Sequence, residues 1–146
     1  MASRIEIGFK KGIRDALGER IKKRIVEHLR IHVDWVKTIE VYTIDGPLAR
    51  EELEKAAHGP LSDPIIQETA INRGLAQGFD WLIEVGFRPG VTDNVGKTAG
   101  EAVTLLTGKP VQVYTSRQYA ISGIRDRCTL DTLTRMDAER IASELL

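Results

Sequence analysis

Ile5-Glu6-Ile7-Gly8-Phe9-Lys10-Lys11-Gly12-Ile13-Arg14-Asp15-Ala16-Leu17-Gly18 returns later in the chain as Ile83-Glu84-Val85-Gly86-Phe87-Arg88-Pro89-Gly90-Val91-Thr92-Asp93-Asn94-Val95-Gly96. Seven of the fourteen positions are identical, and four more (Ile7/Val85, Lys10/Arg88, Ile13/Val91, Leu17/Val95) keep their chemistry. So dense a match within one short chain reads as a small unit built twice. The repeat divides the sequence into a first copy over residues 1–73, a linker over 74–80 and a second copy over 81–146. A doubled unit of this kind predicts an internal pseudo-dimer, with a surface to which both copies contribute.

Each copy opens on a strand. Ile5, Ile7 and Phe9 alternate with Glu6 and Gly8, the period of a half-buried strand, and Trp81 to Phe87 opens the second copy. Asp15 then stands as the N-cap of a helix whose apolar residues Leu17, Ile21, Ile25 and Leu29 step by four. Arg20, Lys22, Lys23 and Arg24 cover its other face. After His32, β-branched and aromatic residues predict a strand through Thr43. Leu48 to Ala57 reads as a short helix stopped at Gly59-Pro60, and Ile65 to Ile71 as extended chain behind Pro64. In the second copy Asp93 caps a helix with Val95, Ala99, Val103 and Leu106 as its apolar positions. Val111–Thr115 aligns with Ile39–Thr43, which implies six residues lost between helix and strand. Ser116 to Asp131 reads as a polar loop or hairpin arm. Thr134 and Asp137 have capping-box-like spacing before a last helix with Met136, Ile141 and Leu145 inward. Nothing after Leu146 corresponds to Asp63-Pro64-Ile65-Ile66, so the second copy lacks its closing strand. Two explanations stand: the chain is a piece of something longer, or another chain completes the sheet.

Composition narrows the function. The 146 residues are 42% hydrophobic and 29% charged, a globular profile. Twenty-one basic residues balance twenty-one acidic ones, which argues against nucleic acid as the main partner. Cys128 is the only cysteine, so an internal disulfide or a cysteine zinc site has no second ligand. No apolar run approaches a membrane span, and the N-terminus lacks a signal-peptide core, so the chain is expected in the cytoplasm.

Few residues invite a chemical role. The repeated Gly-x-x-Asp-x-x-Gly element (Gly12, Asp15, Gly18; Gly90, Asp93, Gly96) has the glycines of a phosphate cradle at a helix N-terminus. Its structural reading is a strand-to-helix turn with an aspartate cap, and the cap occupies the amides an anion would need. No Walker or dinucleotide fingerprint is present. His28, His32 and His58 have no partners at metal-ligand spacing. The basic run from Lys10 to Arg24 reads first as a solvated helix face, and second as an electrostatic patch for a phosphorylated ligand or an acidic partner. Tyr114-Thr115-Ser116-Arg117 is a polar, aromatic strand exit of the kind enriched at interfaces.

Strand, Lys/Arg-x-Gly-Val/Ile-x-Asp-x-x-Gly, helix, strand, helix and a closing Asp-Pro-Ile-Ile segment together resemble the small PurS subunit of phosphoribosylformylglycinamidine synthase. The residues that carry the likeness are Lys10 to Gly18, Asp63 to Glu68, and again Arg88 to Gly96. Two such units in tandem are similar to the N-terminal domain of the large, fused forms of that synthase. The resemblance implies an α+β fold of two strand-helix-strand-helix-strand units, the second lacking its last strand. It implies a role in the fourth step of purine biosynthesis, where formylglycinamide ribonucleotide becomes its amidine at the expense of glutamine and ATP. By this likeness the chain is non-catalytic and binds no cofactor itself, with ATP, Mg and glutamine handled by other parts of the enzyme. Its partners are then the glutaminase and the ATP-dependent synthetase, which it bridges, and a homo-oligomer is a further possibility. Tyr42, Thr43, Tyr114, Thr115 and Arg117 are the residues expected to face partners; Gly12, Asp15, Gly18, Gly90, Asp93 and Gly96 are expected to be structural. A rival from another class is a small-molecule-sensing module, since paired α+β units can hold an effector between them.

Overall fold

A computed structural model describes residues 2–123 and 135–146. Its elements are β1 (Ala2–Phe9), α1 (Ala16–Arg24), a π-helical segment (Ile25–Leu29), β2 (Trp35–Asp45), α2 (Arg50–His58), β3 (Gln67–Ile71), β4 (Trp81–Gly86), α3 (Asn94–Thr107), β5 (Gln112–Ser122) and α4 (Arg135–Leu145). The strands form one sheet in the order β3-β1-β2-β5-β4. β1 runs antiparallel to β2, with Ile5 opposite Tyr42, and antiparallel to β3, with Ile5 opposite Ile71. The α+β class expected from the sequence is the class observed.

Two compact units share these elements. The first takes residues up to Ile13, Ile39–Leu75 and Gly86–Arg117. Its core joins Ile5 and Ile7 of β1, Ile44 of β2, Leu53 and Ala56 of α2, Ile71 of β3, and Ala99 and Val103 of α3. The second takes Arg14–Thr38, Ala76–Val85 and the described residues from Gln118 onward. Ile21, Ile25 and Leu29 pack there with Val33, Val36, Tyr119, Ile121 and Ile141. Each such aliphatic side chain, taken from water, contributes about 1.5–3 kcal/mol before the entropy of ordering is subtracted. Each unit draws on both halves of the chain. The first helix of the first copy lies in the unit that holds β4, and α3 lies in the unit that holds β1 and β3.

Several sequence expectations need correction. Glu6 does not alternate outward: it is buried, accepting from Arg4 Nε at 3.0 Å and from the Leu75 amide at 3.1 Å. A buried carboxylate requires such partners: one is Arg4, two residues earlier in the same strand, and the other is the Leu75 amide beyond β3. The helix after Asp15 keeps its apolar stripe but closes in π geometry over Ile25–Leu29. On α3 the packed stripe is Gly96, Ala99, Gly100 and Val103, whereas Val95 and Leu106 are exposed. Ser116 to Ser122 is strand, with Tyr119, Ala120 and Ile121 buried. Its polar start, Ser116-Arg117-Gln118, disguises it. Strand β3 begins at Gln67, because Pro64 to Ile66 form a turn. Cys128, the Thr134/Asp137 pair and the Met136 side chain lie outside the described residues.

Candidate partner-binding surface

The two Gly-x-x-Asp-x-x-Gly elements fold into the same clasp. Asp15 accepts from the Gly18 amide at 2.8 Å through Oδ1, and from the Thr38 amide at 2.6 Å through Oδ2. The Thr38 hydroxyl adds bonds of 2.9 and 3.0 Å. Asp93 accepts from the Gly96 amide at 2.8 Å, the Thr115 amide at 2.6 Å and the Thr115 hydroxyl at 2.8 and 2.9 Å. One carboxylate thus caps a helix and also fastens its first turn to a strand. The first glycine of each element is needed for conformation: φ is +86° at Gly12 and +87° at Gly90. The second is needed for approach. A Cβ on Gly18 would fall inside the Val36 carbonyl oxygen, and one on Gly96 inside that of Val113.

These bonds also revise the alignment of the copies. Twenty-three residues separate Asp15 from Thr38 and twenty-two separate Asp93 from Thr115. The counterpart of Thr115 is therefore Thr38, not Thr43, and one residue is lost between helix and strand, not six. The misleading signal is the tripeptide Val-Tyr-Thr, present at Val41–Thr43 and at Val113–Thr115. The informative one is Val-x-Thr at Val36–Thr38, whose threonine answers the aspartate.

Asp93 shows the electrostatic result. Burial works to raise its carboxyl pKa, but the Thr115 and Gly96 amides and the Thr115 hydroxyl outweigh burial and hold it below the ordinary carboxylate value. Its oxygens are engaged by the protein itself, and the Gly96 amide that would greet an anion is taken. The clasp caps a helix and ties its first turn to a strand.

Most of the large exposed apolar side chains of the second copy within the first unit lie on or just before α3. Val95 is 59% exposed, Leu105 88% and Val91 55%, and Phe87 and Leu106 are exposed too. A groove of about 780 Å³ runs along one flank, lined by Val91, Lys97, Glu101, Leu105 and Tyr114 among others. A second, of about 410 Å³, lies on the flank bounded by Tyr42, Pro60, Leu61, Val95, Thr98 and Ala102. Isolated apolar side chains at a surface need no explanation; here Val91 and Leu105 line one groove and Val95 the other, so both flanks of α3 carry exposed apolar groups.

The five residues expected to face partners separate here. Tyr114 lines the larger groove, its hydroxyl donating to Gln112 Oε1 at 2.7 Å. Tyr42 lines the smaller, half-buried against the core; burial, then the charges of Glu40 and Asp93, raises its phenol pKa. Thr115 is engaged by Asp93. Arg117 donates to Glu40 at 2.6 Å, and Thr43 sits in β2 opposite Arg4. The sequence reading missed Val91, Val95 and Leu105. Gly96 and Gly100 were the available signal, since a Gly-x-x-x-Gly face on a helix is one that lies close to backbone.

With this geometry in view, residues 2–73 match the family model described as PurS: phosphoribosylformylglycinamidine (FGAM) synthase. The chain carries a PurS-like domain. That family ties it to FGAM synthase and to purine biosynthesis. No curated protein matches the chain. The PurS-like domain holds the Asp15 clasp, Tyr42 and Thr43; the Asp93 clasp and α3 follow it in the sequence. In the PurS-like domain His58 bonds the Glu54 carbonyl through Nδ1 at 2.8 Å and contacts Thr69 Oγ1 through Nε2 at 3.3 Å. Among the described residues no group of three or more His, Cys, Asp or Glu is placed to hold a metal ion, and no helix is long and apolar enough to cross a membrane.

Proposed function

We propose that this protein is the non-catalytic PurS-like part of a phosphoribosylformylglycinamidine synthase and bridges its glutaminase and ATP-dependent synthetase parts in the cytoplasm. The observation that carries the reading is the PurS match over residues 2–73. Two features support it. Both conspicuous aspartates are engaged in clasps, and the exposed chemistry of α3 is that of a contact surface. The repeated clasp further supports a second PurS-like unit over residues 81–146 after a linker at 74–80, so that two related units serve two different partners. ATP, Mg and glutamine are then handled by those partners.

Reconstitution tests this. Purified glutaminase and synthetase proteins of the same enzyme, mixed with the chain, are expected to form a complex on size exclusion and to convert formylglycinamide ribonucleotide with glutamine as nitrogen donor. Glutamine-dependent turnover that is undiminished without the chain defeats the proposal. So does tight binding of an amino acid or purine nucleotide by the isolated chain with no protein association, which is the sensor's result.

A further inference from the structure

Arg20, Lys23 and Arg24 stand on the outer face of α1, all exposed. None makes an ion pair among the described residues, whereas Arg14 at the start of the same helix is held by Glu19 at 2.7 Å. Helix α3 provides the control. Counted from the cap aspartates, the places of Arg20, Lys23 and Arg24 are filled there by Thr98, Glu101 and Ala102. A clasped helix of this fold therefore needs no cations at these positions.

The end of the helix gives a second, conformational observation. Fifteen residues after its cap aspartate each helix meets a residue in the left-handed region, Gly108 at φ +71° and Arg30 at φ +55°. Glycine takes that conformation freely, and a side chain takes it against steric resistance. An exposed arginine kept where glycine suffices points to a use for its guanidinium. The turn before it is π-helical, a geometry concentrated at functional sites, while α3 stays α-helical to Thr107.

We propose that Arg20, Lys23, Arg24 and Arg30 form a docking face for an acidic surface patch of one protein partner. The inference rests on the bridging role above and assigns the chemistry of one of its two contacts. Arg20 to Arg24 span roughly 6 Å along α1, and Arg30 follows at the end of the π-helical segment. Cations with no ion-pair partner among the described residues, on a chain of zero net charge, set up a local positive field, which steers an acidic partner and sets its association rate. A nucleic-acid reader would carry the excess over the whole domain.

The test uses the full chain with the purified glutaminase and synthetase proteins of its enzyme, following association kinetics at 50 and 300 mM salt. The variant R20E/K23E/R24E is expected to slow association with one partner by about tenfold or more at low salt, and to flatten its salt dependence, while leaving the other partner unaffected. R30G is expected to raise the melting temperature by about 2 °C and yet weaken the same partner's binding. An arginine with a merely structural role does not give those opposite signs. Unchanged association of the folded triple variant with both partners overturns the inference and leaves the bridging role standing, because the wild-type chain still binds. A wild-type chain that binds neither protein removes the bridging role itself. Preference of the wild-type face for a 20-nucleotide RNA over both proteins overturns the choice of an acidic protein surface.

Discussion

Helices α1 and α3 start and stop alike and differ in what they show to solvent. Each begins on an aspartate that accepts from a glycine amide and from a strand threonine, and each reaches a left-handed residue fifteen positions on. Inward, Ile21 and Ile25 of the first stretch correspond to Ala99 and Val103 of the second, and all four are buried. Outward, Arg20, Lys23 and Arg24 face Thr98, Glu101 and Ala102 in the comparison, and Glu27 corresponds to the exposed Leu105. The fold constrains one side of each helix and leaves the other free. Two such helices present a charged face and a more apolar one without any change of scaffold.

The comparison is most sharply broken at the glycines of close approach. Gly18→Ala and Gly96→Ala each drive a Cβ into a strand carbonyl, with the cap carboxylate crowding the other side. Backbone cannot yield as a flexible side chain does, so each is expected to lower stability by about 3 kcal/mol, the upper range of overpacking. Urea unfolding of the two variants measures it. If one falls and the other does not, the clasps are not equivalent and the alignment built on them fails.

The next effect belongs to the aspartates. Asp93→Ala removes a helix cap and strands the Thr115 amide, with an expected loss of about 2 kcal/mol. Asp93→Asn retains an acceptor and should lose less. A double-mutant cycle with Thr115→Val separates the hydroxyl's share from the amide's; coupling near zero would show that the threonine side chain is a bystander.

How much of this was legible beforehand follows from the same residues. The Gly-x-x-Asp-x-x-Gly core, the caps and the alternating strands could be read because their signals are local: a positive φ, a short acceptor, a period of two. Thr38 escaped notice since its partner lies twenty-three residues away and no local pattern marks it. The seven residues of β5 beyond Thr115 were obscured by a polar stretch whose arginine is satisfied across the sheet by Glu40. Periodicity places Val95 and Leu106 among the apolar positions of the helix because apolar residues usually face the core, and a helix that packs through glycines violates that expectation. The PurS resemblance was carried by sequence alone, and the surfaces that would do the work were not.

A smaller effect, set by pH, follows from Asp93. Its carboxyl pKa is depressed in the folded protein, so its share of stability is present above the unfolded value, about 3.9, and is lost as pH falls through the folded one. Wild-type protein should therefore lose melting temperature below about pH 4 more steeply than Asp93→Asn, which has no proton to take up there. Parallel acid limbs for the two proteins would mean that the clasp holds its carboxylate no better than water does.

Gly100→Ala carries the smallest effect and the most pointed sign. Gly100 lies one turn beyond Gly96 on the same packed face, and its counterpart in α1 is Lys22, whose ammonium reaches the Asp34 carbonyl at 2.8 Å. A Cβ on Gly100 would stand 3.5 Å from the Val111 oxygen and 3.6 Å from the Val113 nitrogen, ordinary contact distances. With no clash to oppose it, the helix preference of alanine over glycine decides, up to about 1 kcal/mol in favour of the variant. The helix thus leaves the strand within one turn of the clasp, and a side chain is tolerated at the second step but not at the first. A destabilised Gly100→Ala protein would place the backbone contact along two turns, and the clasp would no longer be the one point where α3 requires glycine for room.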